Sequence, residues 1–314
     1  MLDNEVLQWL FEGDPAIRWQ AMRDLQDRPE GEWAPVRALI PEEGWGARLV
    51  AAMTPEGSWP EVDWCRPVWT LTTLIDLGFP AGHPAVSRAA HAYLAPRLND
   101  PRIWDEVVLF KRTSLFRDVD LCHVGFDLRI GAYFGGDPAA LKRLGEILLD
   151  LQMPDGGWNC RSQRLPKTRH SSFHTTFNVL EGLSLAAKMG ILGAKTFREV
   201  EERAMEFVLQ HVLYRSDRTG EIIKESFTRL TYPWYYHYTI LRGLDYLRRT
   251  PEIFDPRLAD PMAWLESRRG PEGRWPVEKP ISGKVPFAME RMNGDSRWNT
   301  LRALRVMKGR QSVM

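Results

Sequence analysis

Met153-Pro154-Asp155-Gly156-Gly157-Trp158 follows the apolar run Leu148-Leu149-Asp150-Leu151-Gln152 and closes it with an acid, a glycine pair and a tryptophan. Looser copies stand earlier, as Met53-Thr54-Pro55-Glu56-Gly57-Ser58-Trp59, and later, as Gly270-Pro271-Glu272-Gly273-Arg274-Trp275. Each puts a tight turn after an apolar helical stretch. A phrase that returns at wide intervals marks a repeat architecture, in which one helical hairpin cannot bury its apolar face alone and stacks on the next. The glycine ends the preceding helix, and the indole packs over the following pair. With roughly 50 residues per hairpin, about six hairpins fit the chain. The expectation is an all-α fold of stacked helical hairpins in a single domain over residues 1–314. Hairpins that close into a ring leave a cavity; an open solenoid leaves none.

The rest of the chain agrees with helices. Asp14-Pro15 and Asp137-Pro138 each supply an N-cap and a first-turn proline. Leu141, Leu144, Leu148 and Leu151 recur at helical spacing over 137–152. By the same reading helices run over 4–11, 15–26, 34–53, 66–79, 83–98, 118–135, 173–190, 194–214, 235–249, 255–269 and 296–309. Only 220–227 alternates in a way that suits a short hairpin arm.

The net charge of +1 gives no electrostatic case for nucleic acid. The charge-dense run 197–207 mixes arginine and glutamate, as a solvated helix face does. Three cysteines, Cys65, Cys122 and Cys160, are too few for a disulfide framework and suit a reducing compartment. The N-terminus has no basic segment ahead of an apolar one, and no window reaches the length of a membrane span. A soluble, cytoplasmic protein is expected. Thirteen tryptophans exceed what turn anchoring needs, and a lined cavity would use the others.

The stretch Leu148 to Trp158 resembles the QW repeat shared by squalene and oxidosqualene cyclases and by protein prenyltransferase β subunits. That resemblance implies an α/α toroid, a barrel of helical hairpins around a central apolar cavity. The chain also looks like the small prenyltransferase/squalene-oxidase-repeat proteins. The cyclases carry an Asp-x-Asp-Asp acid, and here Asp118-Val119-Asp120-Leu121 lacks the last aspartate. The prenyltransferases are matched more fully, by Asp120-Leu121-Cys122, Gly156-Gly157 and His174-Thr175. The resemblance therefore implies zinc held by Asp120, Cys122 and His174, with Cys160 the alternative to Asp120 as a ligand. Cys160 stands near the place of a family aspartate close to the metal, His123 at that of a tyrosine, and Arg117 at that of a lysine. Thiolate, imidazole and carboxylate suit tetrahedral zinc with one open position and not magnesium or calcium. The plainer alternative makes Cys122 a small core residue and His174 a hydrogen-bonding residue at a helix start.

The activity implied is zinc-assisted transfer of an isoprenoid from an allylic diphosphate to a thiol or related nucleophile. Arg112, Arg117, His123 and His170 would hold the diphosphate, near helix N-termini that favour anions. Lys111, Arg161, Arg164, Lys167 and Arg169 lie close in sequence, the loop members reading equally well as solvated. Trp158, Phe177, Tyr232, Trp234, Tyr236 and His237 would wall the cavity, ring faces stabilising allylic charge. The expected ligand is an isoprenoid or another apolar small molecule. Either a partner protein or a smaller acceptor is also expected, because the β subunits work with a separate α subunit that contributes to the diphosphate site. Two other readings stand beside this one: a cyclase using a different acid, and a non-catalytic toroid that binds a lipid or a protein.

Overall fold

The computed structural model describes residues 3–98, 120–162, 167–278 and 282–311. Among them are thirteen α-helices and no strand. They are α1 (Asn4–Phe11), α2 (Pro15–Asp24), α3 (Glu30–Ala38), α4 (Gly44–Ala51), α5 (Pro67–Leu77), α6 (Pro84–Leu98), α7 (Leu121–Phe134), α8 (Pro138–Asp150), α9 (Phe173–Lys188), α10 (Ala194–Gln210), α11 (Ile240–Leu247), α12 (Ala259–Ser267) and α13 (Arg297–Gln311). No helix among these residues is long and apolar enough to cross a membrane.

The three turn copies adopt one geometry. The indole N–H of Trp59 donates to the Leu49 carbonyl at 2.8 Å, that of Trp158 to Leu148 at 2.7 Å and that of Trp275 to Leu265 at 2.7 Å. In each case the acceptor lies ten residues back, in the last turn of the preceding helix. That bond satisfies a carbonyl the helix end leaves orphaned. The last two copies also reach forward: the Trp158 N–H donates to Thr176 Oγ1 at 3.0 Å and the Trp275 N–H to Thr300 Oγ1 at 2.9 Å. One residue thus ties a helix to the next one in the chain, α8 to α9 and α12 to α13. Gly156 is required here. Its φ is +99°, and a Cβ there would sit 2.2 Å from the Arg203 carbonyl oxygen.

Hydrogen bonds and packing lead from one inner helix to the next. Trp19 and Gln20 of α2 donate to the Leu77 and Asp76 carbonyls at the end of α5. Helix α5 packs on α7, and α7 on α9. The α7–α9 contact is backbone to backbone: a Cβ on Gly182 would lie 2.4 Å from the Gly125 oxygen, and one on Gly125 2.6 Å from the Asn178 oxygen. Helix α9 reaches α11 through Arg242, whose Nε donates to Glu181 at 2.9 Å. Helix α11 packs on α13, and α13 returns to α2, with Arg305 donating to Gln20 at 3.0 Å and Lys308 to the Asp24 carbonyl at 3.1 Å. Helices α6, α8, α10 and α12 pack against members of this series.

Three expectations change. The helix expected over 34–53 is two helices, α3 and α4. The Asp14 carboxylate, already capping α2, also takes the Trp45 N–H at 2.6 Å and so starts α4 anew. The hairpin arm expected over 220–227 is a single bridge between Arg215 and Ile222. The helix expected over 235–249 starts only at Ile240. Residues 232–238 run instead as an irregular aromatic segment, with Tyr235 at φ +50°. Asn178 and Arg242 hold it by bonds to the Tyr236 and His237 carbonyls, at 3.0 Å each.

Candidate functional site

The segment 232–238 stands between two chemically different ends of the inner helices. At their N-terminal end two thiols meet. Cys122 lies in the first turn of α7 and Cys160 in the loop before α9, and the Cys122 N–H points at the Cys160 sulfur from 3.4 Å. The Thr175 hydroxyl lies 3.3 Å from the same sulfur and also accepts the Cys160 N–H at 3.4 Å. The Cys122 thiol donates to Cys160. This bond, aided by Thr175 and the Cys122 N–H, brings the Cys160 thiol below the ordinary thiol range, against the opposing effects of burial and of the Asp120 charge. The same bond and burial push Cys122 up. Aromatic rings pack nearby: Trp69 lies 5.7 Å from His123 and 6.0 Å from Tyr236, and Trp64 is stacked on Tyr235 at 4.6 Å.

His174 stands one residue from Thr175, yet its ring is engaged elsewhere. Its Nδ1 accepts the Tyr238 N–H at 2.8 Å, so in the neutral ring the proton sits on Nε2. A metal-bound imidazole has the opposite arrangement: a bare nitrogen toward the metal and an N–H toward an acceptor. Among the described residues no three His, Cys, Asp or Glu side chains form a group able to hold a metal ion. The residues present therefore do not fit the zinc set that the resemblance implies, and no step here is routed through a metal.

The C-terminal halves of the same helices line a partly open cavity of about 370 Å³, reached by α2, α3, α5, α7, α9, α11 and α13. Its lining departs from the apolar funnel that the resemblance implies. Eight of its side chains are Arg or Lys and three are Asp or Glu. Arg129 bridges Asp76 at 2.6 Å and Glu181 at 3.0 Å, and Arg242 also holds Glu181, at 2.9 Å. Arg305 grips Asp245 with both arms and reaches Asp24 at 3.2 Å. Arg302 lies 3.5 Å over the Trp234 ring, and its nearest carboxylate oxygen, Asp245 Oδ2 at 3.5 Å, is the one Arg305 already holds. Burial and the Arg305 charge lower Arg302 to about 10, although Asp245 opposes them.

Of the residues expected to wall an apolar cavity, Trp234 lines this charged one. Trp158 and Phe177 are wholly buried in packing instead, the first as a turn anchor and the second against Tyr238 and Tyr246. Tyr232 is stacked on Trp298 at 4.4 Å, and Tyr236 on His237 at 4.0 Å on the thiol side. Asp120, Cys122, His123 and Cys160 gather at the start of α7, whereas Arg161, Lys167, Arg169 and His170 are exposed. Lys111, Arg112, Arg117, Asp118 and Arg164 lie outside the described residues. The charged cavity was missed from sequence, although a signal existed: single charges such as Asp76, Arg129, Glu181 and Arg302 interrupt apolar inner helices, where charges are rare unless paired. No family model matches the chain, and neither a curated protein nor a solved structure matches it.

The buried imidazoles carry a pH prediction. Burial foremost, then the charges of Lys224, His237 and Arg242, lowers His174 to about 3; burial, then Lys224 and Arg242, lowers His237 to about 4. An unfolded imidazole titrates near 6.5, so below that pH the unfolded chain takes up protons that the folded chain does not. This contribution is fully present above pH 6.5 and is lost as pH falls toward 4 and then 3. Asp127, raised to about 6 by burial, works in the opposite sense. Urea midpoints at pH 7 and pH 5 in the parent and in His174→Asn separate the two. The parent is expected to lose more stability than the variant over that interval, and equal losses would show that His174 is not held neutral.

Proposed function

We propose that the chain is an α/α toroid whose working site is the chamber between the C-terminal halves of its inner helices, where it holds a small polar molecule. The return of α13 onto α2 supports the ring, and the partly open, polar volume supports the site. At about 370 Å³ the chamber lies within the range of small-molecule sites. One observation carries the reading: the chamber walls are buried guanidiniums and carboxylates, which a bare isoprenoid chain would leave unsolvated. Mass spectrometry of the full chain under non-denaturing conditions tests it. A polar compound released on denaturation is the expected result; an isoprenoid released in its place contradicts it.

The meeting of Cys122 and Cys160 favours a second reading, prenyltransferase-like transfer at the thiol end. It needs a reactive thiolate, so alkylation by iodoacetamide followed by peptide mapping is its measure. Cys160 is expected to react fastest, with a pH midpoint below that of an ordinary thiol, and Cys65 and Cys122, whose thiols are pushed up, more slowly. Equal rates at the three sites would remove this reading.

A further inference from the structure

We infer that the chamber is a binding site for a multiply charged oxyanion, such as a phosphorylated or polycarboxylated small molecule, with Arg302 as its innermost contact; this rests on the chamber being the working site. The first argument is charge. The lining has five more positive than negative side chains. Ion pairs account for Arg129, Arg242 and Arg305, and Arg23 is paired with its neighbour Asp24 at 2.7 Å. Lys188 and Arg249 have no carboxylate partner among the described residues. Arg37 donates only to neutral oxygens, the Gly78 carbonyl at 2.6 Å and the Tyr133 hydroxyl at 3.0 Å. Together with the buried Arg302, these cations give the chamber and its mouth a positive charge that no lining carboxylate offsets.

The second argument is the state of Arg302. Its side chain is 6 % exposed. Its Nε finds no hydrogen-bond partner among the described residues. The one carboxylate it meets at ion-pair distance is shared with Arg305 and Arg248, and Asp76 and Glu181 act on it only from farther off. Trp234 fixes the plane of its guanidinium from one face. A fixed, under-bonded guanidinium has the fork geometry that a phosphate or carboxylate accepts in two parallel bonds.

The third argument is access. Lys188 and Arg249 are exposed and Arg37 is partly so, whereas Arg242 and Arg302 are buried. Cations therefore run from the outer lining inward and draw an anion down the path. Trp33, partly exposed and 5.5 Å from Trp19, offers a ring on which the organic part of the ligand can rest. A monoanion would leave most of the surplus unmatched, so at least two negative charges are required.

The test uses pyrophosphate and the full chain, at constant ionic strength. Isothermal titration of the parent is expected to give saturable, near-stoichiometric binding, with acetate at the same concentration giving none. Arg302→Met is expected to weaken pyrophosphate binding at least tenfold while its circular dichroism and Tm match or exceed those of the parent. Lys188→Ala, at an exposed position, keeps the fold in any case and is expected to weaken binding severalfold, mainly at low salt. Absence of binding by the parent overturns the oxyanion assignment. If a polar but uncharged molecule is then found with the purified chain, the chamber as working site survives that failure. Unchanged affinity in both variants overturns the placement of the anion in the chamber.

Discussion

Replacing Asp245 with alanine is expected to cost about 3–5 kcal/mol of folding stability, the range seen when one partner of a buried ion pair is removed. Asp245 is buried among Arg248, Arg302 and Arg305, which hold it well below the usual carboxylate range. Arg305 and Arg302 come from α13 and Asp245 from α11, so this one carboxylate joins the last two inner helices and, through Arg305 and Gln20, the second helix of the chain. Without it three guanidiniums face each other across a low-dielectric space. Urea denaturation of Asp245→Ala and Asp245→Asn measures the effect. The amide fills the space and keeps one of the two acceptor oxygens, while its NH2 faces a guanidinium donor, so its cost is expected to be smaller than that of alanine but still large. Arg302→Met makes the opposite case: it removes a poorly paired cation and is expected to leave stability unchanged or improved. If Asp245→Ala costs less than about 1 kcal/mol, the carboxylate does not organise the packing of α11 and α13.

Trp158→Ala is expected to cost a similar amount, about 3–5 kcal/mol, as large aromatic truncations in cores do. The ring is fully buried, and its loss also leaves the Leu148 carbonyl without its donor. Trp158→Phe fills most of the space and forfeits only the indole bond, a loss of about 1–3 kcal/mol for an unsatisfied buried acceptor. Because the Trp158 backbone is bonded to Thr176 in α9, the alanine variant is also expected to loosen the approach of Cys160 to Thr175. Faster alkylation of Cys122 in that variant would record the loosening. Were Trp158→Ala as stable as the parent, the turn copies would be decoration rather than the joints between hairpins.

The parts of this fold readable from sequence were the local ones. Asp14-Pro15 and Asp137-Pro138 start helices because cap and proline act within one turn. The turn copies were readable because acid, glycine and indole act within about ten residues of each other. The meeting of Cys122 with Cys160 was legible only through the resemblance, and it depends on Gly125 and Gly182 letting α7 and α9 touch. His174 shows the limit of motif reading. Its position fits the motif, but a backbone N–H from Tyr238, in a segment read as helix, fixes the wrong tautomer for a metal ligand. The chamber was illegible for a different reason. Asp76, Glu181, Arg242 and Arg302 come from four separate stretches, and each alone reads as one charge on an amphipathic helix. Their shared location follows from long-range contacts that no local pattern encodes.

The proposed working site is a positively charged chamber lined by α2, α3, α5, α7, α9, α11 and α13. Its most direct test is an anomalous difference map from crystals of the full chain grown with tungstate, a heavy-atom oxyanion. A peak within hydrogen-bond reach of the Arg302 and Arg242 guanidiniums is the result predicted. Peaks confined to exposed cations such as Lys167 and Arg169, with none between the inner helices, would contradict it.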